Sequence, residues 1–250
     1  MKQRWLCLVT TPRAWCALAL GLAAGAAHAQ WTMGLAQSNM LVNSWYNNQM
    51  WKHVTKVDCW PPGHCRPLGS SPKERAPSPG GARSLLYSGE AFATVKGIEG
   101  LAVQYPVKDR REAVETFTKI IFTFDETVPR TYGIPANNLA TAYTAILAGG
   151  YAAYTSRPFP EEAVKPLFRQ VEQVMANDPK ILHASVEEKG ALYQRWVGVG
   201  GFMLGWQSNL AQHPDPEQQA KMQKTGANIL RALGVDPGKV RFTRRGMELE

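Results

Sequence analysis

The chain has 250 residues, 28 lysines and arginines against 20 acids, and a formal net charge of +8. It is long enough for one domain of ordinary size with a real core. Residues 30–84 carry six basic and two acidic side chains, 85–238 carry 15 and 16, and 239–250 carry four and two, so the charge sits on the flanks and not on a folded, aromatic-lined stripe, which excludes nucleic acid as the expected partner.

Residues 1–29 carry Lys2, Arg4 and Arg13 with no acid, then the apolar run AWCALALGLAAGAA, then Ala27-His28-Ala29 before Gln30. A basic start, a short apolar core and an A-x-A site make a secretory signal peptide. The run is shorter than the roughly 20 residues that span a bilayer, so no transmembrane segment is expected after cleavage. Neither Cys7 nor Cys16 stands where a lipid-modified cysteine would. The expectation is an exported chain, periplasmic or secreted, beginning near Gln30.

Cleavage leaves Cys59 and Cys65, bracketing CWPPGHC, in a compartment where thiols oxidise. Five residues separate them, including Pro61, Pro62 and Gly63, which suit a tight turn; C-x2-C spacing, usual for thiolate metal sites and thioredoxin-like pairs, is missing. The expected outcome is a disulfide between Cys59 and Cys65, whose small ring is worth about 2.4 kcal/mol in the chain-entropy model. A metal held by His53, His64 and the cysteines is the rival, and no metal or cofactor is expected. Segment 30–65 is rich in Trp, Met and Asn; Trp45, Tyr46, Met50 and Trp51 cluster in a stretch that should pack on the main domain or on a partner. From Arg66 to Ser84 the chain has almost nothing to bury and reads as a flexible Pro/Gly/Ser linker.

The region 85–238 reads as a single all-α domain of about five helices. Val114, Phe117, Ile121 and Phe124 give one apolar stripe over about 108–126, which places Asp125 and Glu126 at a helix end. After Gly133 and Pro135, Leu139, Tyr143, Leu147 and Tyr151 mark a second helix. A third, about 163–176, has an uncertain start because of Pro166. Ser185 with Glu188 forms a capping box opening a long fourth helix, about 186–209. Asp215, Pro216 and Gln218 open a fifth, closed near Gly234. Residues 239–250, with Arg241, Arg244 and Arg245, read as a basic tail with only a weak strand pattern in VRFTR. Both basic flanks, the other carrying Lys73, Arg75 and Arg83, can touch anionic surfaces weakly.

Small residues line up on two helices: Ala142, Ala145, Gly149 and Ala152 on the second, Gly198, Gly201 and Gly205 on the fourth. Helical glycine costs about 1 kcal/mol relative to alanine, and close approach of two backbones would repay it. The sequence contains no GxSxG, HExxH, phosphate-cradling loop or EF-hand loop. Glu161 with Glu162, and Glu187 with Glu188, stand at helix starts, where the dipole favours acids. Arg195 shares a face with Ala191, Gly198 and Phe202, so it must reach outward or find an anion. A protein acid such as Glu172 or Asp125 is one choice. An anionic ligand in a cleft lined by Tyr143 and Tyr193, with Tyr151 and Tyr154 as further aromatics, is the other.

The blocks YPVKDRREAVETFTKIIFTFDETVPRTYGIPANNLATAYTAILAGGYAAY, RQVEQVMANDP, EEKGALYQRWVGVGGFMLGW and LGVDPGKVRFTRRGMEL, within about 100–247, resemble a family of exported bacterial helical proteins catalogued as a domain of unknown function. The resemblance implies a helical domain behind a signal peptide and supplies no catalytic residues; region 30–84 falls outside it. The functional expectation is a non-enzymatic binding or interaction protein of the cell envelope with an unidentified partner. The alternatives are a hydrolase or lyase acting on an envelope polymer, and a secreted factor acting on a competitor or host.

Overall fold

The computed structural model describes residues 57–58, 66–67, 86–89 and 94–249. The leader, most of the aromatic segment and the linker lie outside the described residues. Upstream, two short strands, β1 (Val57–Asp58) and β2 (Arg66–Pro67), pair antiparallel, with Asp58 opposite Arg66. The rest is helical: α1 (Lys96–Ala102), a 3₁₀ turn at Val107–Asp109, α2 (Arg110–Tyr132), α3 (Leu139–Thr155), α4 (Glu161–Met175), α5 (Pro179–His183), α6 (Val186–Gln212) and α7 (Pro216–Ala232). A hairpin, β3 (Val240–Thr243) with β4 (Gly246–Leu249), closes the chain. The all-α expectation holds, and α2, α3, α4, α6 and α7 are its five helices.

The capping chemistry is where the residues put it. Asn138 accepts from the Ala140 and Thr141 amides at the start of α3, and Asp215 from Glu217 and Gln218 at the start of α7. The Ser185 and Glu188 capping box opens α6. Gly133 (φ 61°) ends α2 in the left-handed region that glycine enters freely. Two boundaries differ from expectation because proline did not stop a helix. Helix α2 runs through Pro129 to Tyr132, and α4 starts at Glu161 and passes Pro166. Each loses one backbone bond, which packing of the buried stripe outweighs.

Helix α3 is buried without interruption from Leu139 to Gly150, so it must be wrapped on all sides. It packs on α6, α7 and α4, and α6 in turn carries α1 and α2. Small residues set the spacing. A Cβ on Gly149 would stand 2.8 Å from the Cα of Gly200, and one on Gly200 would stand 2.5 Å from the carbonyl carbon of Ala145. The expected backbone approach therefore exists, but through Gly200. Gly198 makes room for Leu101 and Phe117, and Gly201 for Ile120, so those two serve α1 and α2 instead. A second crossing joins α3 and α7, where a Cβ on Gly226 would meet the Tyr154 nitrogen at 2.5 Å.

The C-terminal segment corrects an expectation. Residues 240–249 form the β3–β4 hairpin and not a tail, with Val240, Phe242 and Met247 buried. Phe242 stacks edge-on with Tyr151 at 4.8 Å and lies 5.0 Å from Phe159. From α4, Gln170 donates to the Arg245 carbonyl at 3.2 Å and accepts from the Met247 amide at 2.8 Å. The pattern VRFT alternates buried and exposed, which is why four residues suffice to dock. No helix among the described residues is long and apolar enough to cross a membrane.

Candidate functional site

Three polar side chains in the N-terminal half of α6, Lys189, Tyr193 and Gln194, are buried. Tyr193 is fully buried; its hydroxyl donates to Asp125 Oδ1 on α2 and accepts from the Asn137 amide at 3.2 Å. Burial first, then the charge of Asp125, raises the phenol well above its ordinary pKa, so it stays protonated. Asn137 sits in the left-handed region at φ 52°, which asparagine tolerates better than other side-chain-bearing residues. That conformation turns its carbonyl toward the Ser88 amide, 2.9 Å away, while Leu139 donates to the Leu86 carbonyl at 3.0 Å. Segment 86–88 is thus sewn to the turn between α2 and α3, and Tyr193 holds that turn from beneath.

The neighbouring residue holds α1. Val95 gives α1 no side-chain cap. The amide oxygen of buried Gln194 takes over, accepting from the Gly97 and Ile98 amides at 3.1 and 3.3 Å, while its nitrogen donates to the Thr94 carbonyl. Two of the orphan donors of a helix start are satisfied by a residue almost a hundred positions away. Gly97 has to be glycine-sized, since a Cβ there would lie 2.6 Å from that of Gln194.

Arg195 is half-buried and its guanidinium lies against Gly100, about 3.1 Å from where a Cβ would be. No ion pair of Arg195 with Glu172 or Asp125 occurs among the described contacts; Asp125 instead meets Tyr193. Tyr143 points elsewhere again: its ring packs edge-on against Trp196 at 5.1 Å and its hydroxyl faces the Leu233 carbonyl at 3.5 Å. Burial raises its pKa as well. Arg195, Tyr143 and Tyr193 therefore do not converge on one point. Positions 193 and 195 are about 200° apart around a helix, so one side chain faces the core when the other faces out.

Sequence reasoning passed over Asn137 and Gln194, and offered Asp125 only as a partner for Arg195. Asp125 was placed at a helix end, yet α2 continues two turns beyond it. Gln194 carried a signal: its neighbours at helical spacing, Gly190, Val197, Gly198 and Gly201, are all small or apolar and all buried. Glu161, Glu162, Glu187 and Glu188 stand in first turns as expected, and bonds from Ser185 lower the Glu188 pKa. His183 ends α5 and His213 follows α6. Among the described residues no three potential ligands gather in a metal-binding group. Cys59, Cys65, His53 and His64 lie outside the described residues, but the paired Asp58 and Arg66 immediately flank CWPPGHC. On the outside, a hollow of about 350 Å³ lies over α2, its described lining being Phe122, Thr123, Glu126, Thr127, Arg130 and Thr131.

A family model matches residues 68–250, about three quarters of the chain. The chain belongs to DUF6683, a family of unknown function. The DUF6683 match begins at Leu68, well upstream of the blocks that carried the resemblance, so it takes in most of the Pro/Gly/Ser stretch as well as every element from α1 to β4. The contacts of Tyr193 and Gln194 lie within it; the cysteine loop precedes it. Comparison with curated proteins and comparison with solved structures each return no match.

Proposed function

We propose that this DUF6683 protein is an exported, non-enzymatic binding protein of the cell envelope. One observation carries the reading: the side chains with the most chemical capacity in the described domain, Tyr193, Gln194 and Asp125, are engaged in holding its elements together. A phenol that is fully buried and kept protonated does not present itself to a substrate. The groups open to a macromolecule are on the surface, including Phe122 at 57% exposure on α2. Export rests on the leader, and a Cys59–Cys65 disulfide is supported by the strand pair that brings Asp58 and Arg66 opposite each other.

The test uses the exported chain, purified and offered both an isolated envelope fraction and a panel of envelope polymers. Saturable binding without turnover is expected, with mass spectrometry showing no free thiol at Cys59 or Cys65. Turnover that disappears in Arg195→Ala would establish the rival hydrolase or lyase, for which the Tyr193–Asp125 contact is the best catalytic candidate.

A further inference from the structure

The Tyr193 hydroxyl ties helix α2 to the turn that follows it, since it donates to the Asp125 carboxylate and accepts from the Asn137 amide at 3.2 Å. Asn137 stands at φ 52°, a conformation that a residue with a side chain keeps only while its surroundings hold it. In that conformation its carbonyl takes the Ser88 amide at 2.9 Å, and two residues on Leu139 donates to the Leu86 carbonyl at 3.0 Å. The chain segment 86–88 is thus fastened, through one phenol, to a charge. Hydrogen bonds to an ionised acceptor are about twice as strong as neutral ones, and bonds in series polarise one another. The phenol oxygen therefore accepts best from Asn137 while its own proton is drawn to a carboxylate.

Burial and the charge of Asp125 both keep the Tyr193 proton in place, so the carboxylate is the member of the pair that changes state as pH falls. On α2 the neighbours of Asp125 at helical contact spacing, Ile121, Phe122, Val128 and Pro129, are apolar; Glu126 pairs with Arg130 at 3.4 Å, and Tyr132 lies two turns on. From α6, besides Tyr193, comes Lys189, whose ammonium reaches the Leu182 carbonyl at 3.3 Å. Residues 133–138 carry no charged side chain, and residues 86–89 bring only the phenol of Tyr87. We infer that protonation of Asp125 unfastens residues 86–88 from Asn137 while the helices stay packed, an acid-operated catch on the segment that leads into the helical domain. Leu86 is fully buried, and α3 and α6 meet elsewhere through Gly149 and Gly200, so the opening is local and the segment reseats when the proton leaves. The ionised form is the bonded one, so attachment is complete above the carboxylate range and weakens as pH falls through it, toward about 4. This catch concerns the domain's own structure and does not depend on the binding reading.

Amide hydrogen exchange of the full exported chain tests it, followed residue by residue by NMR and corrected for the intrinsic pH dependence of exchange. Between neutral pH and about pH 4 the Ser88 and Leu139 amides are expected to lose about tenfold in protection, while Ile146 in α3 keeps its own. Asp125→Asn, which carries the shape of the protonated acid at every pH, should show the loosened state at neutral pH and no further response. Tyr193→Phe cuts the same link and provides a second variant without a pH response at these amides. Glu126→Gln, beside Asp125 but paired with Arg130, should respond as the parent does. Parent protection that stays constant over this range, that falls at Ile146 as much as at Ser88, or that still responds to pH in Asp125→Asn overturns the inference. Envelope binding can fail in the earlier experiment without changing any of these outcomes.

Discussion

Toward α3, helix α6 offers no side chain at Gly200, and the two backbones meet directly; toward α1 and α2 it offers a buried amide at Gln194 and a buried phenol at Tyr193. The first contact is made by leaving atoms out and the second by supplying atoms that the neighbours lack. The seam with α3 should therefore be intolerant of any addition. The junction with α1 and α2 should be intolerant of removal, because backbone donors in the interior would lose their acceptors. The same helix thus has two faces that fail under opposite kinds of substitution.

The largest effect is expected at the seam. Gly200→Ala places a methyl group 2.5 Å from the Ala145 carbonyl carbon and 2.8 Å from the Ile146 nitrogen. Backbone cannot yield as a flexible side chain can, so a loss of about 3 kcal/mol is expected, read as a shifted urea midpoint. An unchanged midpoint would mean that α3 and α6 do not meet there. Next comes Gln194→Leu, which keeps the volume but strands the Gly97 and Ile98 donors. About 2 kcal/mol should be lost, and hydrogen exchange should show α1 opening before α3. Were α1 to stay as protected as α3, its start would not depend on that amide.

Ser185→Ala removes the side-chain cap of α6 and should cost about 1 kcal/mol without altering either face of the helix. A loss as large as that of Gln194→Leu would erase the distinction between a surface cap and a buried one.

The subtlest test is one of pH. Lys189 is only 5% exposed, and its ammonium reaches the Leu182 carbonyl at 3.3 Å. Burial lowers its pKa below the ordinary 10.5. The folded chain consequently releases this proton before the unfolded chain does. The penalty for burying the charge is complete below the folded pKa and fades as pH rises through it toward 10.5. Stability relative to Lys189→Met should therefore improve as pH climbs from neutral into that window; a flat difference would place the ammonium in water.

Much of this architecture was readable from residues. The stripe Phe117, Ile121 and Phe124, the Ser185–Glu188 box and the Asp215-Pro216 start each lie within one helix, so local spacing reveals them. What escaped depends on distant partners. Helix α1 has seven residues, and beyond the Thr94 hydroxyl that accepts from the Lys96 amide its start depends on Gln194, far away in sequence. Residues 239–250 looked like a charged tail because Phe242 finds its partners in Tyr151 and Phe159, far away in sequence. The stripe Gly198, Gly201 and Gly205 suggests a single close approach, yet Gly198 and Gly201 face α1 and α2 and the contact with α3 runs through Gly200 outside the stripe, a distinction that only the packed structure makes. The cleft of Arg195, Tyr143 and Tyr193 failed for a simpler reason, since helical phase alone separates residues 193 and 195.

The most direct measurement pairs unfolding with turnover in Tyr193→Phe, which deletes one oxygen and the two hydrogen bonds it makes. If the buried polar residues serve the fold, the variant loses about 1–2 kcal/mol of stability, exchange at segment 86–88 accelerates, and envelope binding per folded molecule is unchanged. Unaltered stability together with loss of turnover on an envelope polymer would contradict that account and assign the Tyr193–Asp125 pair to catalysis.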